Sequence, residues 1–154
     1  MTVNGKRCVE TFEKGAFQSY LGRMEPFVLS YHDSKIILGR KNVNAEIYED
    51  EIGLRFIVEL PNTSAANDMY ELVQRGIVKG VSIGFRAITE SWGMYDRTTN
   101  LRTVKEALLA EFSFVGSPAY GSSEVHALTE EEYLELQVRN KTTKRKRLFL
   151  LASL

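Results

Sequence analysis

Apolar and polar positions alternate along much of the chain, and the alternation predicts strands. Leu54, Phe56, Val58 and Leu60 share one face of a strand. Ala45 to Tyr48 precedes it across the acidic, glycine-containing turn Glu49-Asp50-Glu51-Ile52-Gly53, the pattern of a hairpin. Ile36 to Arg40 reads as the start of a further strand. Gly80 to Glu90 and Ala107 to Val115 alternate in the same way, with a loop from Trp92 to Asn100 and a short strand, Leu101 to Lys105, between them. Helical spacing is confined to two places. Thr63 or Ser64 can cap a helix carrying Ala66, Met69, Tyr70 and Val73, with Gly76 as its stop. Thr129 followed three residues later by Glu132 forms a capping box, and Tyr133, Leu134, Leu136 and Val138 continue from it. Pro26, Pro61 and Pro118 fall at element boundaries.

Many strands and few helices predict an α+β, β-rich fold, a small barrel-like sheet or sandwich with helices attached. Residues 1–14 read as an irregular N-terminal segment and residues 15–128 as the main domain. Residues 129–154 read as a C-terminal helix followed by a basic and then apolar tail, loose enough to be a target of self-cleavage. A length of 154 residues with 44% hydrophobic content fits one core and excludes two large domains.

Charge and composition narrow the function classes. Twenty basic and twenty acidic side chains cancel, so the molecule as a whole has no field favouring nucleic acid or a membrane surface. The exception is local: Lys141, Lys144, Arg145, Lys146 and Arg147 crowd one stretch, as a solvated helix end or as a dock for an acidic partner or nucleic acid. No run approaches the ~18 apolar residues of a membrane span, and the tail Leu148 to Leu154 is far shorter. The single cysteine, Cys8, cannot form an internal disulfide, which makes a reducing cytoplasm the default compartment. His32 and His126 are far apart in sequence, and no paired-cysteine, H-E-x-x-H or phosphate-binding glycine motif occurs, so neither metal nor cofactor is expected.

Three residues could carry chemistry. Alternation puts Val81, Ile83, Phe85 and Ala87 on one face of their strand and Ser82, Gly84 and Arg86 on the other, so Ser82 points away from the expected core. Gly84, on the same side, would leave open space for a substrate backbone. The ordinary explanation of such a serine is a solvated strand face. Gly80-Val81-Ser82-Ile83-Gly84 fits the wording of a G-x-S-x-G elbow, but the doubly wound sheet which that elbow requires is not evident. His32 can accept a proton near neutral pH, with Asp33 beside it to tune its charge; a surface histidine is its plain alternative. Glu111 shares a predicted face with Leu109, Ser113 and Val115, opposite Leu108, Ala110, Phe112 and Phe114. So placed, it must reach solvent at an edge or meet a histidine or arginine, with a structural salt bridge as the alternative to a catalytic role.

In order along the chain these residues resemble the prohead protease family of tailed bacteriophages, whose fold is similar to that of herpesvirus assembly proteases. Three blocks carry the resemblance. Lys14-Gly15-Ala16-Phe17 with Val28-Leu29-Ser30-Tyr31-His32-Asp33 and Ile37-Leu38-Gly39-Arg40 looks like the family's histidine segment. Tyr70 to Gly76 leading into Gly80-Val81-Ser82-Ile83-Gly84-Phe85 looks like its helix and nucleophile strand, and Ala110 to Ala119 like its acidic segment ending in proline and alanine. The resemblance runs from about Gly15 to Val125. It implies a serine endopeptidase with Ser82 as nucleophile, His32 as general base and Glu111 as third member. Because the herpesvirus relatives use a second histidine, His126 is the alternative third member. It also implies capsid and scaffold proteins as substrates, self-association, and action within the assembling procapsid in the host cytoplasm. The alternative is a non-catalytic assembly or scaffold-binding module that retains the fold.

Overall fold

One long strand organises the sheet that bears the candidate residues. The computed structural model describes residues 2–3, 5–118, 121, 123–129, 131–135 and 149–153. Strand β8 (Asn100–Val115) is paired antiparallel along its whole length with β7 (Gly80–Met94), the two joined by a tight tip at Tyr95 to Thr99. Its other edge is shared. β2 (Lys6–Phe12) runs parallel to its first part and β3 (Phe27–Ser30) parallel to its last part. β1 (Thr2–Val3) extends the sheet beyond β2, and β4 (Asp33–Arg40) extends it beyond β3, to six strands in all.

A second, antiparallel sheet has the order β5 (Ala45–Glu49), β6 (Leu54–Glu59), β10 (Phe149–Ser153), β9 (Glu124–Leu128). Phe56 of β6 meets Phe112 and Phe114 of β8 at ring-centroid distances of 4.3 and 5.6 Å, and all three rings are buried, so this cluster joins the sheets. The short helix α1 (Gln18–Leu21) and the helix α2 (Ser64–Gln74) are attached to these sheets. α2 buries Ala66, Met69 and Val73. Thr63 caps it by accepting the Ala66 N–H, and Gly76 ends it at φ +67°, with the Ile77 amide turned back to the Leu72 carbonyl.

The β-rich α+β expectation holds, as do the hairpin of β5 and β6 and the capped helix. The barrel does not: among the described residues the strands form two sheets without closure, tied by the phenylalanine cluster. The N-terminal segment is not irregular, because β2 finds a parallel partner in β8, with Cys8 buried beside Asn100. The loop from Trp92 and the short strand Leu101 to Lys105 are parts of the continuous β7–β8 hairpin. Bulges interrupt its alternation: Gly84 faces Glu111 while Phe85 faces Leu109, leaving Ala110 over, and Lys105 is left over between Val104 and Glu106. The bulge at Ala110 turns Leu109 into the core at 1% exposure, away from the face of Glu111 on which simple alternation put it. At the arm of this hairpin the Trp92 indole donates to Glu90, and Arg102 pairs with both Glu10 and Glu90, so Trp92 packs on the hairpin itself. Residues 149–153 are not a loose tail, since their backbone pairs with both β6 and β9. The basic run from Lys141 to Arg147, and Ala119, Leu136 and Val138, lie outside the described residues. Among the described residues no helix is long and apolar enough to cross a membrane.

Candidate active site

β8 carries Glu111 and Ser113 between two strands that bring the other candidates to it. On one side Ser82 of β7 pairs with Ser113, and Gly84 pairs with Glu111. On the other, Leu29 of β3 lies beside Ser113. β3 then turns into β4 through Tyr31 and His32, with Ser30 paired to Asp33. Both turn residues have positive φ, 50° and 59°. A two-residue hairpin turn of this hand normally takes Asn or Gly, because a side chain in the left-handed region costs roughly 1–2 kcal/mol. The turn is held by hydrogen bonds instead: the Tyr31 amide donates to the Phe114 carbonyl at 3.0 Å and the His32 amide to the Ser113 hydroxyl at 3.0 Å.

The turn delivers the imidazole to Glu111. His32 Nδ1 lies 2.7 Å from Glu111 Oε1, and Ser113 Oγ donates to Glu111 Oε2 at 2.5 Å. The carboxylate is 14% exposed and the imidazole 45% exposed, so the ring lies at the surface and its anchor beneath it. Gly84 explains the direction in which the carboxylate leans. A Cβ at Gly84 would collide with Glu111 Oε1, so the space beside Ser82 is filled by the carboxylate and is not the open lane for substrate expected from the sequence. The oxygen that crosses toward β7 is the same one that holds the histidine. His32 Nδ1 and the Gly84 position of β7 therefore face one and the same carboxylate oxygen.

Ser82 is on the face opposite buried Val81 and Ile83, as alternation predicts, yet it retains only 8% exposure. Pro118 packs over Gly80, and the Ser123 hydroxyl accepts the Val81 amide at 3.3 Å, covering this end of β7. No hydrogen bond joins His32 to the Ser82 hydroxyl; each flanks Ser113, one from either side of β8. His126 is on β9 in the other sheet, where it pairs with Glu124 at 3.5 Å and lines a cleft of about 510 Å³ beside α2. The structure therefore brings His32, Glu111 and the strand of Ser82 together, and gives His126 a separate partner. Sequence reasoning passed over Ser113, although its place two residues after Glu111 on the same face was a signal.

A carboxylate that accepts a hydrogen bond from Nδ1–H keeps that proton on Nδ1 and leaves the other ring nitrogen as a base, and such a base beside a nucleophilic hydroxyl is the pairing used in nucleophilic hydrolysis. The comparisons with known proteins agree in class. The family model described as caudovirus prohead serine protease matches residues 1–137, and the chain belongs to that family. The prohead protease of Escherichia phage T5 is 30% identical over 93 residues, which take in 60% of this chain and 41% of that protein. The chain thus matches less than half the length of that relative. No solved structure matches the chain. The resemblance carried by the three ordered blocks is borne out at the level of the family.

Proposed function

We propose that the chain is a serine endopeptidase that cleaves segments of scaffold or capsid protein inside the assembling procapsid, in the host cytoplasm. Ser82 attacks the scissile carbonyl while His32 takes its proton, and the resulting imidazolium returns the proton to the leaving amine. Water then enters along the same path and hydrolyses the acyl-enzyme. Glu111 holds the Nδ1–H tautomer and stabilises the imidazolium. General base catalysis of this kind supplies about 10²–10⁴-fold in rate. The herpesvirus-protease likeness of the fold belongs to the same reading, with histidine before serine in the chain order of His32 and Ser82 in its support and Glu111 standing where those relatives use a second histidine.

The observation that carries the proposal is the lean of Glu111 across Gly84 with His32 on its leading oxygen. Co-expression with the capsid and scaffold proteins tests it. Ser82→Ala should abolish processing while leaving the thermal unfolding profile unchanged, and unaltered processing would remove Ser82 from the mechanism.

The low exposure of Ser82 favours one second reading, a non-catalytic assembly or scaffold-binding module that retains the fold. It predicts that processing is the same with and without this chain.

A further inference from the structure

Ser113 is wholly buried at 0% exposure, and both functions of its hydroxyl are in use. Its lone pair takes the His32 amide at 3.0 Å, and its one proton goes to Glu111 Oε2 at 2.5 Å. A closed circuit results: serine hydroxyl to carboxylate, carboxylate to imidazole, imidazole through its own backbone to the serine hydroxyl.

We propose that Ser113 is a positioning residue that sets the tautomer and the placement of His32. The inference rests on the hydrolase reading for its kinetic consequence, though its structural content is independent of it. Two degrees of freedom have to be fixed for the imidazole to act as a base toward β7. The first is the carboxylate rotation. With Oε2 tied to Ser113, Oε1 alone is presented to the ring, at the angle that crosses Gly84. The second is the turn. His32 sits at φ 59°, a conformation that non-glycine residues leave unless the surroundings hold them, and the Ser113 hydroxyl is what holds its amide. A single hydroxyl thus fixes both ends of the histidine, its backbone and the group that orients its ring. Because Ser113 is paired with Ser82 across the β7–β8 ladder, the same residue also sets where this circuit stands relative to the proposed nucleophile.

Ser113→Ala removes the hydroxyl, and Ser113→Cys puts a bulkier group with only a weak donor in its place. The test uses the full chain with ¹⁵N-labelled histidine. Two-bond ¹⁵N–¹H spectra distinguish the Nδ1–H from the Nε2–H tautomer, and His126, the other of the two histidines, is the internal control. In the wild type at high pH His32 should be the Nδ1–H tautomer. In both variants it should become a mixture while His126 is unmoved. Labelling of Ser82 by a fluorophosphonate should fall about 10–100-fold in maximal rate, with little change in the half-saturating concentration, as expected when a reactive group is displaced without loss of a binding contact. A His32 tautomer unchanged in both variants would overturn the inference, whatever the labelling does. Wild-type protein that resists labelling would instead count against the hydrolase reading and leave the tautomer result to decide the role of Ser113.

Discussion

At the scale of single residues, the site is built from constraints that lie far apart in sequence. The Ser82 alternation was legible, because Val81 and Ile83 on the opposite face are unambiguous, and they are buried as read. His32 and Glu111 stood out as a proton acceptor and a carboxylate in need of a partner, and each is the other's partner. Gly84 was not legible. Its missing side chain signals space, but only the neighbouring strand reveals that the Glu111 carboxylate fills it. Gly84→Ala should therefore push that carboxylate off its line. Displacement of a reacting group by about 1 Å can cost ~10²-fold, so fluorophosphonate labelling of Ser82 should slow by about that factor. A stability loss of roughly 1–3 kcal/mol should accompany it as overpacking, seen in urea unfolding. Labelling at the wild-type rate would mean that the lean of Glu111 has no part in reactivity.

At the scale of elements, local signals were reliable and long-range pairing was not. The Thr63 cap, the Gly76 stop and the β5–β6 hairpin all follow from chemistry within a few residues. The bulges at Ala110 and Lys105 depend on how β7 and β8 are registered, so the sequence read one 16-residue strand as two. The capping box is another local signal that held. The Thr129 amide and hydroxyl both donate to Glu132, and the Glu132 amide donates back to the Thr129 hydroxyl. The Thr129 amide, then its hydroxyl, holds the Glu132 carboxyl below the usual glutamate range. A folded-state pKa below the unfolded one gives stabilisation that is full above the unfolded value and lost as pH falls through the folded one. Amide-exchange protection over 131–135 should accordingly decline as pH drops below about 4.3, the ordinary glutamate value. Glu132→Gln should remove that pH dependence; if it persists, another group is responsible.

At the scale of the whole molecule, two sheets share one core, and elements from both ends of the sequence complete them. β2 lies beside β8, and β10 lies between β6 and β9. Neither was legible, since a short polar segment and an apolar tail show their role only once their partners are known. The ladder makes a direct prediction. Leu151 is paired with Ile57 on one side and His126 on the other. Proline at this position removes an N–H from a central strand, where it is essentially never found, at a cost of ~3 kcal/mol or more by analogy with a helix interior. Leu151→Pro should lower the thermal midpoint by several degrees and expose β6 and β9 to amide exchange, leaving the His32–Glu111 contact in place. Unchanged exchange in β6 and β9 would argue that β10 contributes nothing to the second sheet.

The histidine whose backbone amide anchors the β3–β4 turn carries the imidazole proposed to activate a hydroxyl two strands away. The most direct measurement is the rate of covalent modification of wild type and His32→Ala by a fluorophosphonate, with the modified residue located by mass spectrometry. The account predicts modification at Ser82 alone, slowed at least about 10²-fold when the imidazole is removed. Modification at another residue, or at Ser82 with a rate indifferent to His32, would contradict it.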